Sequence, residues 1–166
     1  MRPKIPNIID VEASGFGSAS YPIEVGVILS NGERYCSLIR PERDWVHWDE
    51  SAEKVHNITR SCLLKHGKSV ITVAKELNAF LQNTTVYSDG WVVDSPWVKQ
   101  IFYHARLTPS FTLSSLEMIL TEPQMAIWHS VKNGILQGNE QKRHRASYDA
   151  QLIQETYIQT AQAISA

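Results

Sequence analysis

Two apolar stretches joined by a tight turn constrain the fold of this chain more than any other feature. Residues 23–29 are mostly apolar, residues 34–39 follow, and a Ser-Asn-Gly turn at 30–32 lies between them. Asn-Gly favours the turn of a β-hairpin, because both residues tolerate a positive φ. Residues 8–12 form another strand-like stretch, and Pro41 ends the last one. The first third of the chain therefore predicts a three-stranded antiparallel meander.

Helices alternating with short strands are predicted for the rest of the chain. Thr59 predicts the N-cap of a short helix that ends before Gly67, and the spacing of apolar residues predicts a helix over 70–81. Further predicted elements are short strands at 86–88 and 111–113, and helices that begin at Ser95-Pro96, after the capping box of Thr121 and Gln124, and near Ala146. This order predicts an α/β domain in which helices flank a mixed sheet.

Length, composition and charge exclude several classes of protein. The 166 residues amount to one domain, and the hydrophobic fraction of 43% is ordinary for a globular protein. The formal net charge of −1 excludes a strongly basic protein that coats DNA without specificity. It does not exclude a nucleic-acid enzyme, because bound cations or a local basic patch can oppose the phosphate charge. We therefore expect a single domain over residues 1–166.

Cysteine number and apolar run length bear on the compartment. Cys36 and Cys62 are too few for a disulfide scaffold or a zinc knuckle. The longest apolar run, residues 25–29, is too short to span a bilayer. Acidic residues interrupt the apolar region that an N-terminal signal peptide would need. We expect a soluble cytoplasmic protein with reduced thiols and no membrane partner.

Asp10 and Glu12 are the first candidates for chemistry. Residues i and i+2 of a strand project from the same face, so these carboxylates lie side by side while Ile9 and Val11 face apolar packing. Adjacent carboxylates repel each other unless a cation or a proton lies between them. For such a pair taken alone, a solvated acidic strand face is the simpler interpretation.

Two later segments carry further candidates. Asp94 precedes Ser95-Pro96, where a loop would meet a helix, and taken alone it reads as an ordinary capping residue. His144 lies in a polar loop, and Asp149 falls within the last predicted helix. Oxygen ligands from separate segments, with a His beside them, are typical of a hard-metal site with a general base.

Taken in order, these motifs resemble the DEDDh 3′–5′ exonucleases. The chain has Asp-x-Glu-x-x-Gly at 10–15, a middle Asp leading into a helix, and His-x4-Asp at 144–149. Residues 55–59 also resemble the linker region of that family, which includes proofreading exonucleases and oligoribonuclease-like exoribonucleases. The resemblance implies a ribonuclease-H-like fold: a mixed five-stranded sheet, antiparallel meander then parallel strands, flanked by helices.

The sequence departs from the family pattern at one place. A His-Asn pair often precedes the middle Asp, but here Asp89 and Gly90 stand there. The contact that the Asn makes to the nucleotide is therefore not carried over, and Asp89 itself reads as a turn residue after a strand. A sister group has Tyr in place of the His. Because His144 stands five residues before Asp149, while Tyr148 adjoins it, the chain resembles the His type.

The resemblance implies a two-metal mechanism with Mg²⁺ or Mn²⁺. Single-stranded nucleic acid would be hydrolysed from its 3′ end to nucleoside 5′-monophosphates. Four carboxylates facing one pocket carry four negative charges, which two divalent cations cancel. His144 would take the proton from the attacking water, because its reference pKa of about 6.5 suits a base near neutral pH. The implied metal ligands are Asp10, Glu12, Asp94 and Asp149.

The resemblance also implies where the substrate binds. The backbone at Ser14 and Gly15 would meet the terminal 3′-hydroxyl, and Phe16 either stacks on a base or is a partly buried loop aromatic. A basic cluster flanks the catalytic His and would hold phosphates of the incoming strand, with a solvated loop as the alternative. The cluster consists of Lys142, Arg143 and Arg145.

The tryptophans and the assembly allow several interpretations. Trp45 and Trp48 lie in a polar loop, where they form a stacking platform, pin the loop to the core or build a dimer contact. The other tryptophans are better explained as core residues: Trp91, Trp97 and Trp128. The implied partner is a single strand or short oligonucleotide with a free 3′ end. Small relatives often form homodimers, although no sequence feature demonstrates one here.

Two other functions stay open beside the exonuclease. One is a catalytically silent module on the same fold that binds nucleic acid or another partner, and the intact acidic set argues against it. The other is a ribonuclease-H-like endonuclease, against which His-x4-Asp favours the exonuclease. RNA and DNA are not distinguished, because the partners of a 2′-hydroxyl cannot be placed from the sequence.

Overall fold

The computed structural model describes residues 4–165, and a five-stranded mixed sheet forms its centre. The strands are β1 (Asn7–Ala13), β2 (Pro22–Ile28), β3 (Arg34–Leu38), β4 (Thr85–Ser88) and β5 (Thr112–Ser115). Their order across the sheet is β3-β2-β1-β4-β5. The first three strands are antiparallel, whereas β4 runs parallel to both β1 and β5. The predicted meander is confirmed.

Within the described residues, six α-helices surround this sheet. They are α1 (Glu50–His56), α2 (Arg60–His66), α3 (Val70–Leu81), α4 (Trp91–Ala105), α5 (Glu122–Leu136) and α6 (Ala146–Ala163). The predicted N-caps of α2 and α5 are confirmed. The hydroxyl of Thr59 accepts a hydrogen bond from the backbone N–H of Cys62 at 3.1 Å. Thr121 and Gln124 form the reciprocal capping box at the start of α5.

Helix α4 begins at Trp91, five residues before Pro96, so the prediction of an N-cap at Ser95 was wrong. The carbonyl of Gly90 accepts hydrogen bonds from the backbone N–H groups of Val93 and Asp94, both at 2.9 Å. Pro96 lies inside the helix, where its missing N–H deprives the Val92 carbonyl of its usual partner. Val92 is strongly exposed, which lets water serve that carbonyl. Asp94 consequently lies in the first helical turn.

Alternating residues along the strands belong to two apolar clusters on opposite faces of the sheet. Ile9 and Val11 of β1 belong to the cluster that includes residues of α3 and α4. Ile8 and Ile28 belong to a second cluster, with residues of α5 and α6. The two helical layers therefore cover opposite faces of the same strands, as the period of two in a β-strand requires.

Gly26 brings α6 directly onto the sheet. A Cβ at this position would lie 2.3 Å from the carbonyl carbon of Ala146, the first residue of α6. Only glycine permits such an approach of two backbones. Gly26 pairs with Asp10 of β1 in the strand register. The N-terminus of α6 thus packs beside the acidic residues of β1.

The buried and exposed tryptophans are not all those that the sequence predicted. Trp45 is buried and stacks on a core tyrosine, with ring centroids 5.2 Å apart, and Trp48 packs against the same cluster. These contacts pin the loop to the core. Trp128 is buried and Trp97 is half-buried as expected, but Trp91 is exposed on the first turn of α4, so its assignment to the core was wrong. No helix between residues 4 and 165 is both long and apolar enough for a membrane crossing.

Candidate active site

A cavity of about 400 Å³ opens beside the carboxyl ends of β1 and β4. Ligands of open α/β sheets bind at this edge, because loops and helix N-termini meet there. The lining includes all five residues predicted for the metal site and the general base: Asp10, Glu12, Asp94, His144 and Asp149. Residues from β1, α4, the loop before α6 and α6 itself therefore share one cavity.

The two carboxylates of β1 lie on the face that α6 covers. Asp10 pairs across the sheet with Gly26, and Glu12 pairs with Glu24. Within residues 4–165, the buried Oδ2 atom of Asp10 has no hydrogen-bond partner. Such an orphaned oxygen is unusual, because buried polar atoms nearly always find a partner.

Asp94 is held by the end of β4. The hydroxyl of Ser88 donates a hydrogen bond to Oδ2 of Asp94 at 2.5 Å, and the same hydroxyl accepts one from the N–H of Gly90 at 3.0 Å. Burial raises the pKa of Asp94 to about 7, against the lowering effect of the Ser88 hydrogen bond. The nearby Asp89 raises it further by repulsion.

His144 and Asp149 are joined through the backbone. The N–H of His144 donates to Oδ2 of Asp149 at 3.0 Å, while His144 has a left-handed backbone with φ of 63°. The other carboxylate oxygen of Asp149 is buried and lacks a partner in the described part of the chain. Ligand atoms of Glu12, His144 and Asp149 lie within 4.8 Å of one another. Asp10 and Asp94 line the same cavity outside this tight trio.

Burial and mutual repulsion destabilise the charged forms of the carboxylates in the cavity. Burial, followed by repulsion from Asp149, raises the pKa of Glu12 to about 8. Burial and then repulsion from Asp94 hold the pKa of Asp10 well above its usual value. Burial also raises the pKa of Asp149. Orphaned oxygens and mutual repulsion in one donor set fit hard divalent cations, which satisfy both at once.

A buried carboxylate that the sequence analysis missed lies next to this cluster. Glu24 of β2 is fully buried and accepts from Nε and Nη2 of Arg145 at 2.9 and 3.1 Å. The thiol of Cys36 donates at 3.3 Å and the N–H of Ala146 at 3.4 Å. Arg145, which was predicted to bind phosphate, thus has a protein partner that ties the start of α6 to β2.

The remaining basic residues differ from Arg145. Lys142 is exposed in a short 3-10 helix, Glu140–Lys142. Arg143 is half-buried, and its Nε atom has no hydrogen-bond partner in the described chain. None of these basic residues lines the cavity, but the charge of Arg143 lowers the pKa of Asp149. Arg143 is therefore close to the acidic cluster.

The segment after β1 forms another wall of the cavity. Ser14 is buried, and its hydroxyl accepts from the N–H of Tyr21 at 3.1 Å, so it lies behind the cavity lining. Gly15 lines the cavity, and a Cβ there would lie 2.8 Å from the Cβ of Asp49. Phe16 also lines the cavity and is 79% exposed, which excludes the partly buried alternative.

Several lining residues were not predicted as site residues. The apolar ones come from β1, α1 and α4, namely Val11, Ala13, Ala52, Val55, Val93 and Trp97. His56, at the end of α1, lies among them. The only available signal was the position of His56 in segment 55–59, because the cavity side of α1 shows no apolar periodicity in the sequence.

Comparison with known proteins gives similarity at the level of structure. No family model matches the sequence, and no curated protein matches it significantly. Exonuclease I of E. coli in complex with a dA16 oligonucleotide superposes with a TM-score of 0.69 and 14% identity, over 90% of this chain and 39% of that one. The zinc-bound form of an E. coli exonuclease I complex with single-stranded DNA gives 0.58 and 16%, over 76% and 29%.

A moderately thermophilic exonuclease I from Methylocaldum szegediense also superposes, with a TM-score of 0.58 and 13% identity, over 76% of this chain and 30% of that one. The chain therefore spans 39% or less of the length of these proteins. At such identities the likeness concerns the fold. It confirms the predicted ribonuclease-H-like architecture of a mixed five-stranded sheet flanked by helices.

Proposed function

We propose that the protein is a metal-dependent 3′–5′ exonuclease of the DEDDh type that acts on single-stranded nucleic acid. The observation that carries the proposal is the convergence of four carboxylates and one His, from distant parts of the chain, on one cavity. The structural neighbours support it, because they are exonuclease I proteins in complex with a dA16 oligonucleotide or single-stranded DNA.

The acidic residues are the proposed ligands of two divalent ions, Mg²⁺ or Mn²⁺. When bound, such ions polarise a phosphodiester and lower the pKa of water. The proposed ligands are Asp10, Glu12, Asp94 and Asp149. Because the pKa of Glu12 is about 8 and that of Asp94 about 7, these side chains retain protons near neutral pH and release them when cations bind.

His144 is the proposed general base. It lies beside Glu12 and Asp149, and its backbone bond to Asp149 fixes the segment that carries it. The imidazole takes a proton from the attacking water while the water oxygen bonds to the last phosphorus. The bond from phosphorus to the 3′-oxygen of the preceding nucleotide breaks, and that oxygen takes a proton. A nucleoside 5′-monophosphate leaves.

The wall after β1 is the proposed site for the end of the strand. Gly15 lines the cavity and is the proposed backbone contact to the terminal sugar, and the space that a Cβ would need there is occupied by Asp49 and His47. Phe16, at the rim, offers its exposed ring to a base. Lys142 and Arg143 are proposed contacts to phosphates further along the strand. Arg145 belongs to that predicted cluster but is held by Glu24.

The decisive experiment compares 3′-labelled and 5′-labelled RNA and DNA oligonucleotides with and without Mg²⁺. We expect mononucleotides from the 3′ end, and we expect EDTA or Asp10→Ala to abolish their release. Asp44→Asn, at an exposed loop position, is the matched control and should leave the rate unchanged. Internal cuts would indicate an endonuclease, and binding without turnover at any Mg²⁺ or Mn²⁺ concentration would indicate a silent module.

A further inference from the structure

Asp49 is a carboxylate of the cavity lining that the proposed reaction leaves without a role. It is half-buried and directly precedes α1, and its backbone N–H donates to the carbonyl of Ser14 at 3.0 Å. Its Oδ2 atom lies 3.4 Å from the position that a Cβ of Gly15 would take. This oxygen therefore lies against the segment that is the proposed contact to the terminal sugar.

The two carboxylate oxygens of Asp49 differ in their hydrogen bonds. Oδ1 accepts from the backbone N–H of Ser51 at 2.8 Å and from the hydroxyl of Ser51 at 2.6 Å. Oδ2 accepts no hydrogen bond within the described residues 4–165. One oxygen thus fixes the side chain as the cap of α1, and the other is left for a ligand.

The charge of Asp49 also separates it from the other acids of the cavity. Burial raises the pKa of all four proposed metal ligands, whereas hydrogen bonds from Ser51 lower the pKa of Asp49. Asp49 is consequently ionised near neutral pH, and an ionised carboxylate only accepts hydrogen bonds. It also lies outside the tight trio of Glu12, His144 and Asp149.

We propose that Asp49 distinguishes the end of the strand, its Oδ2 atom accepting a hydrogen bond from a hydroxyl of the terminal sugar. The inference rests on the proposed function, because that function places the terminal sugar beside Gly15. A sugar hydroxyl is a donor that suits a carboxylate, and the bond is strong because the acceptor is charged. A terminal phosphate would instead be repelled by the same group.

Two substitutions at Asp49 separate this role from capping. Asp49→Asn keeps an oxygen for Ser51 and replaces Oδ2 by an amide nitrogen, whereas Asp49→Ser keeps a capping hydroxyl that is too short to reach the sugar. Asp, Asn and Ser cap helices about equally well, so both variants should fold and melt like the wild type. The matched control is Glu50→Gln, which removes one negative charge at the next residue, exposed and outside the cavity lining.

The experiment measures removal of the last nucleotide from strands that differ only at that nucleotide. It is a ribonucleotide with both hydroxyls, a dideoxynucleotide with neither, or a deoxynucleotide 3′-phosphate. The ratio of kcat/KM on the first strand to that on the second is the hydroxyl preference, which does not depend on the folded fraction. Both Asp49 variants should lower it about tenfold, as expected for one hydrogen bond to a charged group, and Glu50→Gln should keep it. Relative activity on the phosphate-ended strand should rise in Asp49→Asn.

Three results would overturn the inference. The first is an unchanged hydroxyl preference in both Asp49 variants, and the second is an equal change in Glu50→Gln. The third is an equal loss on every strand together with a higher Mg²⁺ requirement, which would make Asp49 a metal ligand. If the wild type releases no mononucleotide from any strand, the proposed function fails and the inference falls with it. An active wild type without a hydroxyl preference refutes the role of Asp49 alone.

A second arm identifies the hydroxyl. The wild type and Asp49→Asn are compared on strands that end in a sugar with only a 3′-hydroxyl or only a 2′-hydroxyl. A loss confined to the first strand assigns the 3′-hydroxyl, which RNA and DNA share. A loss confined to the second assigns the 2′-hydroxyl and makes Asp49 a determinant of RNA specificity. A loss on neither strand contradicts the inference.

Discussion

A single buried carboxylate and a cluster of buried carboxylates lie side by side on one face of the sheet, and they differ in the hydrogen bonds that the rest of the chain gives them. Glu24 of β2 receives hydrogen bonds from a guanidinium, a thiol and a backbone N–H. One strand away, Asp10 keeps an orphaned oxygen, and burial and repulsion raise the pKa of Glu12 to about 8. The protein neutralises Glu24 internally, whereas Asp10 and Glu12 have no ion-pair partner among the described residues.

In this fold, residues that stabilise the protein are separate from residues placed for chemistry. A buried charge is tolerable when it is paired and hydrogen-bonded, as Glu24 is. An unpaired cluster opposes folding, so it persists where binding a cation returns free energy to the folded state. Neighbouring positions on β1 and β2 thus have different roles. Glu24 stabilises the fold, whereas Asp10 and Glu12 are proposed metal ligands.

The strongest change in activity and stability should come from replacing a charged carboxylate by its amide, at Asp10 in the cluster or at Glu24 beside it. Asp10→Asn should lower exonuclease activity by about 10³-fold or more, because several kcal/mol of transition-state stabilisation are lost with a metal ligand. In EDTA the same variant should melt at a higher temperature, because repulsion within the cluster falls. Glu24→Gln should melt lower. A drop in melting temperature for Asp10→Asn in EDTA would contradict the comparison.

The second effect is a pH dependence of stability in EDTA. The folded chain holds a proton on Glu12 up to about pH 8, whereas the unfolded chain releases it near the ordinary value of 4.5. The folded state therefore binds more protons in this window, and stability should decline as the pH rises from 4.5 to about 8. Thermal melts at pH 5.5 and 8 measure this decline. Mg²⁺ should restore stability at pH 8, and Glu12→Gln should flatten the profile.

A smaller effect concerns the ion pair that holds Glu24. Arg145→Ala leaves a carboxylate of 0% exposure without its cation, and we expect a loss of about 1–3 kcal/mol because the arginine itself is 48% exposed. The control is Lys68→Ala. Lys68 is 47% exposed, but its partner Glu76 is 35% exposed, so the loss should stay below about 1 kcal/mol. Urea unfolding of both variants measures the difference, and equal losses would show that the burial of Glu24 is unimportant.

The smallest effect concerns cations that the protein leaves free. Lys142→Ala and Arg143→Ala should each reduce the salt dependence of single-strand binding, by about 0.7 in the slope of log K against log salt. Arg145→Ala should change this slope less, because Glu24 already holds that guanidinium. Fluorescence anisotropy at several salt concentrations gives the slopes. Unchanged slopes for Lys142→Ala and Arg143→Ala would remove both from the phosphate contacts.

Local signals account for the features that the sequence predicted. The alternation in β1, the apolar spacing of α3 and the capping box before α5 all involve residues a few positions apart. The motif residues followed from the same elements, since a strand places Asp10 and Glu12 on one face. The confirmed order of elements then brings the carboxyl ends of β1 and β4 to one edge.

The features that the sequence did not predict depend on distant contacts. Helix α1 has little apolar periodicity and begins at the cap of Asp49, whose side chain accepts from the N–H of Ser51 at 2.8 Å. Glu24 looks like a lone acid in an apolar strand, because Arg145 lies 121 positions away. The orphaned nitrogen of His56 becomes visible only when every neighbour is placed.

The hydrogen bond from the N–H of His144 to Asp149 ties the proposed base and a proposed metal ligand into one mechanical unit. The left-handed backbone at His144 aims that N–H, so the bond depends on the path of the preceding loop as well as on the side-chain rotamer of Asp149. A molecule that levered this loop outward would disable proton transfer and cation capture together. A ligand that displaced the loop would therefore remove both functions together rather than one of them.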